Sequence, residues 1–253
     1  MKTITLILCM LLGYTLVYSQ YYKVGDNLTV VALDGLNVRS QPDEHSTKIG
    51  KLMNGAVVEL LRIDSLETDT IFGFEGHWIF VRDSNALEGY VFDAFVSKYP
   101  VMKTLKVFDQ ELSASNQTRD IEFLTQILVE YALKAFKKEG SETKYSNEFQ
   151  GTSSQGFEIV PLQDGNRLVL HSYYEGHSTE LELKSPRLSE VYYLIMNLLT
   201  FVPKEDYVLD ENIVNLEAQP YYACSVTMFD NCVIRVFQKQ DDVISIFFYF
   251  PCC

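Results

Sequence analysis

Residues with the chemistry for catalysis or metal binding are few, and the clearest set lies in the C-terminal half. His171 and His177 lie close in sequence to Glu175 and Glu180, and zinc sites use these residue types. The two histidines lack the close helical spacing of a metallopeptidase motif. The pattern predicts that His171 belongs to a strand and His177 to a hairpin loop. We therefore expect no metal site and no cofactor.

Cys224 is the candidate nucleophile of a hydrolase, because a thiol can act with a histidine such as His171 or His177. It stands in the segment Ala-Cys-Ser-Val inside a strand pattern, which favours a disulfide over a reactive thiol. The other disulfide candidates are Cys232, Cys252 and Cys253. Four cysteines allow three complete pairings, and the sequence does not choose between them. Disulfide geometry disfavours only a bond between the adjacent Cys252 and Cys253.

Glu180 and Glu182 are a pair of carboxylates of the type used in acid–base chemistry. They share one face of a predicted strand, opposite Leu181 and Leu183, and this alternation predicts a solvated face instead. The chain has no glycine-rich phosphate loop and no G-x-S-x-G motif. The sequence therefore favours a protein that is not an enzyme.

The elements that would position these residues predict an α+β domain over residues 101–253. Helical spacing is present in "IEFLTQILVEYALKAFKKEG", which ends at Gly140, and in "SPRLSEVYYLIMNLLTFVP", with Ser185 as cap and Pro186 in the first turn. Six strands are predicted, with hairpin reversals at 175–176 and 241–242, so the sheet should be mostly antiparallel. They are 156–162, 167–174, 179–184, 221–229, 232–239 and 243–250. Helix starts and final hairpins recur 66–68 residues apart, which suggests a duplicated unit.

The N-terminal half has a different pattern. From residue 27 to residue 97, short β segments alternate with turn dipeptides such as Asp34-Gly35 and Asn54-Gly55. Several strands at this spacing predict a small all-β barrel. An acidic insert, residues 64–77, separates two of the strands, and long loops on a rigid barrel commonly carry binding specificity.

Four motifs in this half occur in a characteristic order. The segment Leu36-Asn37-Val38-Arg39-Ser40-Gln41-Pro42 is followed by Gly55, by Trp78-Ile79-Phe80-Val81 and by Gly89-Tyr90-Val91. This series, over about 70 residues, resembles the bacterial SH3 family, also called SH3b. The resemblance implies an SH3-like barrel in an exported protein. It also implies noncatalytic binding, often of cell-wall peptides, usually beside a second domain that performs the chemistry.

Five residues are the candidate ligand-binding set of such a barrel. Trp78, Tyr90 and Phe92 offer rigid aromatic contact area, and strand alternation places Asn37 and Arg39 on one side of their strand. The alternative is structural for each of them. The aromatic side chains would then pack in the barrel core, and Arg39 would satisfy the carbonyl groups of the adjacent turn.

The first residues, "MKTITLILCMLLGYTLVYSQ", have the layout of a secretory signal peptide, with one lysine ahead of a short apolar core. We expect cleavage before Gln20. This gives a signal peptide at 1–19, a barrel domain at 20–100 and an α+β domain at 101–253. The protein should be exported to the periplasm or the extracellular space, with no membrane segment left after cleavage. Cleavage removes one lysine and no acid, and therefore changes the formal charge from −13 to −14. That charge disfavours nucleic acid as a partner.

Three functions compete on these observations. The first is an exported noncatalytic binding protein whose SH3b-like module recognises a cell-wall peptide or a protein segment. The second is a cell-envelope hydrolase with an unrecognised site in the C-terminal domain. The third is an acidic interaction or inhibitor protein that meets a basic partner. The bridge "KYPVMKT" is short and apolar, so we expect the two domains to pack together. The sequence does not set the oligomeric state.

Overall fold

The computed structural model describes most of the chain after its first 21 residues. The described ranges are 22–64, 68–102, 106–107, 110–111, 121–148, 154–173, 176–184, 187–209, 224–228, 233–240 and 243–251. The predicted signal peptide, and with it the cleavage point before Gln20, lies outside these ranges. No helix within them combines the length and the apolar character needed to cross a membrane.

The first domain is the small β-barrel that the sequence predicts. Seven strands form one antiparallel sheet in the order β3-β2-β8-β7-β4-β1-β9. Apolar residues at alternate positions, such as Val38, Leu60, Ile79 and Val91, fill its interior. The strands are β1 (Asn27–Val30), β2 (Leu36–Arg39), β3 (Lys48–Leu52), β4 (Val57–Ile63), β7 (Trp78–Asp83), β8 (Glu88–Phe92) and β9 (Val96–Ser97). A single 3-10 turn, Asp93–Phe95, connects β8 to β9.

The acidic insert of the barrel forms its own hairpin, which the sequence did not predict. Strands β5 (Asp69–Ile71) and β6 (Phe74–Gly76) pair with each other and with no other described strand. Phe72 and Gly73 form the turn, with φ of 52° and 81°. Positive φ is ordinary for glycine and uncommon for a bulky aromatic residue, so Phe72 is held in an unfavourable backbone conformation.

The second domain is the predicted α+β domain, with two helices on one face of an eight-stranded antiparallel sheet. The helices are α1 (Ile121–Ala135) and α2 (Leu188–Leu199), and a separate small hairpin joins β10 (Lys106–Val107) to β11 (Gln110–Glu111). The sheet order is β12-β13-β14-β15-β19-β18-β17-β16. Its strands are β12 (Thr143–Glu148), β13 (Ser154–Pro161), β14 (Arg167–Tyr173), β15 (Gly176–Lys184), β16 (Tyr207–Leu209), β17 (Cys224–Met228), β18 (Val233–Gln240) and β19 (Val243–Pro251).

The strand order supports the suggested duplication. Each helix precedes four strands, and each set of four forms a consecutive antiparallel run, β12 to β15 and β16 to β19. The last strand of one set pairs with the last strand of the other over nine residue pairs, from Gly176 to Lys184. The two halves of the sheet therefore meet as two similar units in opposite orientation.

The core of this domain explains why both helices form. In α1 the fully buried residues Leu124, Ile127, Leu128 and Tyr131 recur at i, i+3, i+4 and i+7, which is one face of a helix. Helix α2 repeats this spacing from Val191 to Leu198. These faces pack on sheet residues such as Leu181, Ile246 and Phe248. Each buried side chain of this size stabilises the fold by about 1.5–3 kcal/mol.

Two sequence predictions in this domain are wrong. His177 is a residue of strand β15, paired with Ser172 and Phe250, and is not in a hairpin loop. Glu180 and Glu182 do not form a solvated face, because they are only 5% and 3% exposed. The oxygen Oε1 of Glu180 accepts a hydrogen bond from Ser245 at 2.6 Å.

Further differences concern element ends and short strands. Helix α2 begins at Leu188 and has Arg187 as its N-cap, whereas Ser185 and Pro186, the predicted cap and first turn, lie outside the described residues. Strands β12 and β16 were not predicted, because their sequences "TKYSNE" and "YVL" are polar or very short.

The two domains pack through the start and the outer side of α2. The guanidinium group of Arg187 donates to the carbonyl and carboxylate oxygens of Asp93 at 2.9 and 2.8 Å, and to the Tyr22 hydroxyl at 3.1 Å. Further along the helix, Asn197 and the barrel residue Asn54 both donate to the carbonyl of Val31. These contacts are largely buried, so they hold α2 firmly against the barrel.

Candidate binding site

The predicted ligand residues lie on one face of the barrel. Along β2 the core takes Leu36 and Val38, so Asn37 and Arg39 project outward and are half-buried. The pairing of β2, β8 and β7 sets Arg39 opposite Tyr90, and Phe92 opposite Trp78. Opposite residues of antiparallel strands share a face, so all five candidates belong to the same face of the sheet. On that face Trp78 and Phe92 are buried members of the barrel core, which is the alternative role that the sequence left open for them.

Four of the five line a single cleft of about 540 Å³. They are Asn37, Arg39, Trp78 and Phe92, which form its barrel side. The volume falls within the range of about 300–1,000 Å³ that is usual for small-molecule sites. The structure therefore brings together most of a set that the sequence had suggested from separate motifs.

Trp78 and Phe92 are walls of the cleft and not exposed platforms. They are 5% and 1% exposed, and their rings pack edge-on with centroids 5.5 Å apart. The indole nitrogen of Trp78 donates to a carboxylate oxygen of Asp69 at 3.2 Å. Strand β5 of the inserted hairpin thus fixes the tryptophan side chain, and a ligand would meet a rigid aromatic surface.

Helix α2 of the second domain supplies the opposite wall. Tyr192, Tyr193 and Met196 line the cleft. The two tyrosine rings pack against the hairpin residue Phe74 with centroids 5.3 and 6.0 Å away. Burial raises the pKa of Tyr193 to about 12, with the carboxylate of Asp34 adding to the effect. The site is therefore composite, since neither domain alone contains both walls.

Phe72 stands at the edge of this cleft. Its side chain lines the cleft but is 85% exposed, and its ring centroid lies 6.2 Å from that of Phe95. An exposed aromatic side chain on a backbone with positive φ gains little stability from its position. Such residues are concentrated where they contact a ligand, which makes Phe72 a candidate contact residue.

Arg39 also has the structural role that the sequence left open as an alternative. One guanidinium nitrogen, Nη1, donates to the carbonyl of Ser46 at 2.7 Å, across the loop between β2 and β3. The amide of Ser40 donates to the carbonyl of Thr47 in the same loop. Arg39 therefore stabilises this loop and lines the cleft at the same time.

Tyr90 lies beside the cleft and outside its lining. Its hydroxyl donates to Asp64 at 2.6 Å and accepts from Arg62 at 2.9 Å. The hydrogen bond to Asp64 raises the pKa of Tyr90, while the bond from Arg62 lowers the pKa of Asp64. The Arg62 guanidinium also lies over the ring of Phe80, 4.8 Å from its centroid. Tyr90, Asp64 and Arg62 therefore form a hydrogen-bonded polar group next to the cleft.

The catalytic candidates of the second domain are not brought together. The strands of Cys224 and His171 are separated by β15, β19 and β18, and four strand spacings amount to about 19 Å. His177, on β15, is three spacings away from Cys224, or about 14 Å. A nucleophile and its base must lie within hydrogen-bond reach, so these residues cannot act as a pair.

The structure places the remaining candidates as follows. His171 contacts Glu180 at 3.4 Å, and no described residues form a group of three or more that could hold a metal ion. Glu175, Cys232, Cys252 and Cys253 lie outside the described residues. Cys224 begins β17, and its disulfide role stays a prediction.

The residues that sequence reasoning missed are Phe72 and the α2 wall. Phe72 lies in the hairpin turn Ile-Phe-Gly-Phe, and the surrounding insert has the sequence character of a loop. The adjacent tyrosines at 192 and 193 did carry a signal, because two neighbouring residues on a helix cannot both face the core. The sequence could not show that the second face meets the barrel.

Comparison with known proteins identifies one part of the chain. Residues 34–97 match the family model of the bacterial SH3 domain. No curated protein and no solved structure shows a significant match to the chain. The barrel is therefore a bacterial SH3 domain, as its motifs predicted. Such domains commonly bind components of the cell wall and often lie outside the cytoplasm.

Proposed function

We propose that this chain is an exported binding protein that holds cell-wall peptides in the cleft between its bacterial SH3 domain and helix α2. The observation that carries the proposal is the convergence of Asn37, Arg39, Trp78 and Phe92 on one cleft of about 540 Å³. Aromatic walls with a few polar groups are the usual composition of a ligand-binding pocket.

We also propose that binding is noncatalytic. The support is the wide separation of Cys224 from both histidines among the described strands. Within the cleft, the titratable side chains are those of Asp34, Arg39, Glu44, Lys48, Tyr192 and Tyr193. Arginine and lysine there suit recognition of an anion better than proton transfer.

Export is part of the proposal and rests on the N-terminal sequence. A signal peptide at 1–19 would release the protein at Gln20, and N-terminal sequencing of the secreted form would test it. Mass spectrometry of a non-reduced digest would test whether Cys224, Cys232, Cys252 and Cys253 form disulfides. An envelope location makes both outcomes expected.

Binding is tested most directly through Trp78, the single tryptophan of the chain and a wall of the cleft. Muropeptides released by muramidase from bacterial wall are titrated into the purified protein while the fluorescence is recorded. We expect a saturable change, because a ligand in the cleft alters the surroundings of the indole ring.

The matched variants are Phe72→Ala and Met53→Ala. Both side chains are exposed, at 85% and 64%, but only Phe72 lines the cleft. Loss of an aromatic contact should weaken binding by about tenfold in Phe72→Ala, or about 1.4 kcal/mol. Met53→Ala should bind like the wild type. Absence of saturable binding to the folded wild-type protein, checked by calorimetry, would refute the proposed function.

A further inference from the structure

Two cations face each other on the barrel side of the cleft. Arg39 on β2 and Lys48 on β3 are direct partners in the strand register, and both line the cleft. Like charges at opposite positions of a β-ladder repel each other. In the described part of the chain neither residue takes part in an ion pair, although the protein carries 34 acidic residues. Two opposed positive charges are unfavourable on their own, and the arrangement suits an anion.

The Arg39 guanidinium is also held in place. Its Nη1 atom is bound to the carbonyl of Ser46 at 2.7 Å, which uses one of its five N–H donors. The other donors are suited to a carboxylate, which the planar guanidinium group can bind through two parallel hydrogen bonds. Lys48 is exposed and adds a second positive charge at the same place.

The cleft is also lined by two acidic side chains, those of Asp34 and Glu44. Asp34 and the α2 residue Tyr193 both line the cleft, and the carboxylate of Asp34 adds to the raised pKa of that tyrosine. Asp34 and Arg39 are five residues apart, which corresponds to at most about 17 Å of extended chain. Glu44, on the loop after β2, also lines the cleft but forms no ion pair with Arg39 or Lys48. The cleft therefore carries one acidic group, Asp34, together with α2, and on its β2–β3 side it carries the two cations, with Glu44 on the loop between them.

We propose that the cleft binds a short cell-wall peptide through its free carboxylate, which lies between Arg39 and Lys48. The apolar part of the peptide then packs against Phe72 and Tyr193, and a free amino group is directed towards Asp34. This inference rests on the proposed function, because it names the chemistry that the same cleft recognises. A span of at most about 17 Å limits the bound part of the peptide to about five residues or fewer.

The test uses one muramidase digest divided into two portions. The carboxyl groups of one portion are converted to amides, and the other portion is left untreated. Both are titrated into the wild-type protein by isothermal calorimetry. We expect the untreated muropeptides to bind at least tenfold more tightly, because a charged hydrogen-bonded pair is lost on amidation.

Two lysine variants test whether the preference for free carboxyl groups depends on Lys48. Lys48→Gln should lose most of the preference for the untreated digest. Lys51→Gln makes the same change of charge on the same strand, but Lys51 does not line the cleft, so it should keep the preference. Circular dichroism checks that both variants are folded.

The outcomes separate the two proposals. Equal binding of treated and untreated muropeptides overturns the carboxylate site and leaves the cleft as the binding site. Failure of both digests to bind overturns the carboxylate site together with the proposed function. An equal loss of preference in Lys48→Gln and Lys51→Gln would show a general attraction by charge, and would also overturn the specific site.

Discussion

The contact of Arg187 with the barrel makes a quantitative prediction about the coupling of the two domains. The guanidinium group makes three hydrogen bonds, two to Asp93 and one to Tyr22, and the side chains of Arg187 and Asp93 are only 18% and 8% exposed. Replacing one partner of a buried ion pair commonly costs about 3–5 kcal/mol, because the other charge stays buried. Asp93 keeps a hydrogen bond from the amide of His77 at 2.7 Å. We therefore expect Arg187→Met to cost about 3 kcal/mol, at the lower end of that range.

Arg82→Met is the matched control. Arg82 also forms ion pairs, with Glu88 at 2.7 Å and Glu59 at 3.7 Å, but its side chain is 45% exposed. Exposed pairs contribute about 0–1 kcal/mol, because water and salt screen them. The two variants lose the same side chain and the same charge, and they differ in burial and in whether the contact crosses between domains.

Urea denaturation with two probes measures this coupling. The fluorescence of Trp78 reports the barrel, whereas circular dichroism at 222 nm is dominated by α1 and α2, which lie in the second domain. The two transitions should coincide in the wild type and in Arg82→Met. In Arg187→Met the fluorescence transition should move to lower urea and separate from the helix signal. A free energy of unfolding for Arg187→Met within about 0.5 kcal/mol of the Arg82→Met value would refute the argument.

Two further predictions concern a motif glycine and the buried tyrosines. A Cβ atom on Gly89 would lie 2.5 Å from Cγ1 of Val38 and 2.8 Å from the carbonyl oxygen of Arg39, so Gly89→Ala should destabilise the barrel by about 1–3 kcal/mol in urea denaturation. Burial raises the pKa of Tyr99 and Tyr193 to about 12, above the value of about 10 in the unfolded chain. The stability that depends on these neutral tyrosines is complete below pH 10 and is lost as the pH rises towards 12. Absorbance at 295 nm, which follows tyrosine ionisation, and circular dichroism, which follows unfolding, should change together in this interval. Tyr193→Phe should shift the unfolding to higher pH. Ionisation of all tyrosines near pH 10 without unfolding would contradict the raised pKa values.

The barrel could be predicted because its signals are local. Asp34-Gly35 and Asn54-Gly55 mark turns, and the structure places both glycines at positive φ, 84° and 82°. The motif Gly-Tyr-Val has a steric basis in the close approach of Gly89 to β2. Alternation along β2 then fixes which residues face outward, so the shared outward orientation of Asn37 and Arg39 could be predicted correctly.

The errors in the second domain have a different origin, since they depend on register between strands that are distant in sequence. Glu182 is buried because the pairing of β14 with β15 sets it opposite Arg167, whose Nε donates to its carboxylate at 2.6 Å. Ser245 reaches Glu180 from β19, 65 residues further along the chain. A pattern of alternating glutamate and leucine predicts one polar face, and it does not show that this face is covered and paired.

The composite cleft could not be predicted from the sequence, because its two walls come from different domains. The barrel residues at 37–39 and the helix residues at 192–196 are more than 150 positions apart, and each group satisfies the rules of its own domain. Tyr192 packs against both cores, whereas Tyr193 packs against the barrel core, so one side of α2 meets the barrel. The buried contacts of Arg187 and Asn197 fix that side against the cleft. The proposed function therefore makes binding depend on domain packing. A substitution that frees α2 from the barrel should remove one wall of the cleft, so Arg187→Met should weaken muropeptide binding although Arg187 does not line the cleft.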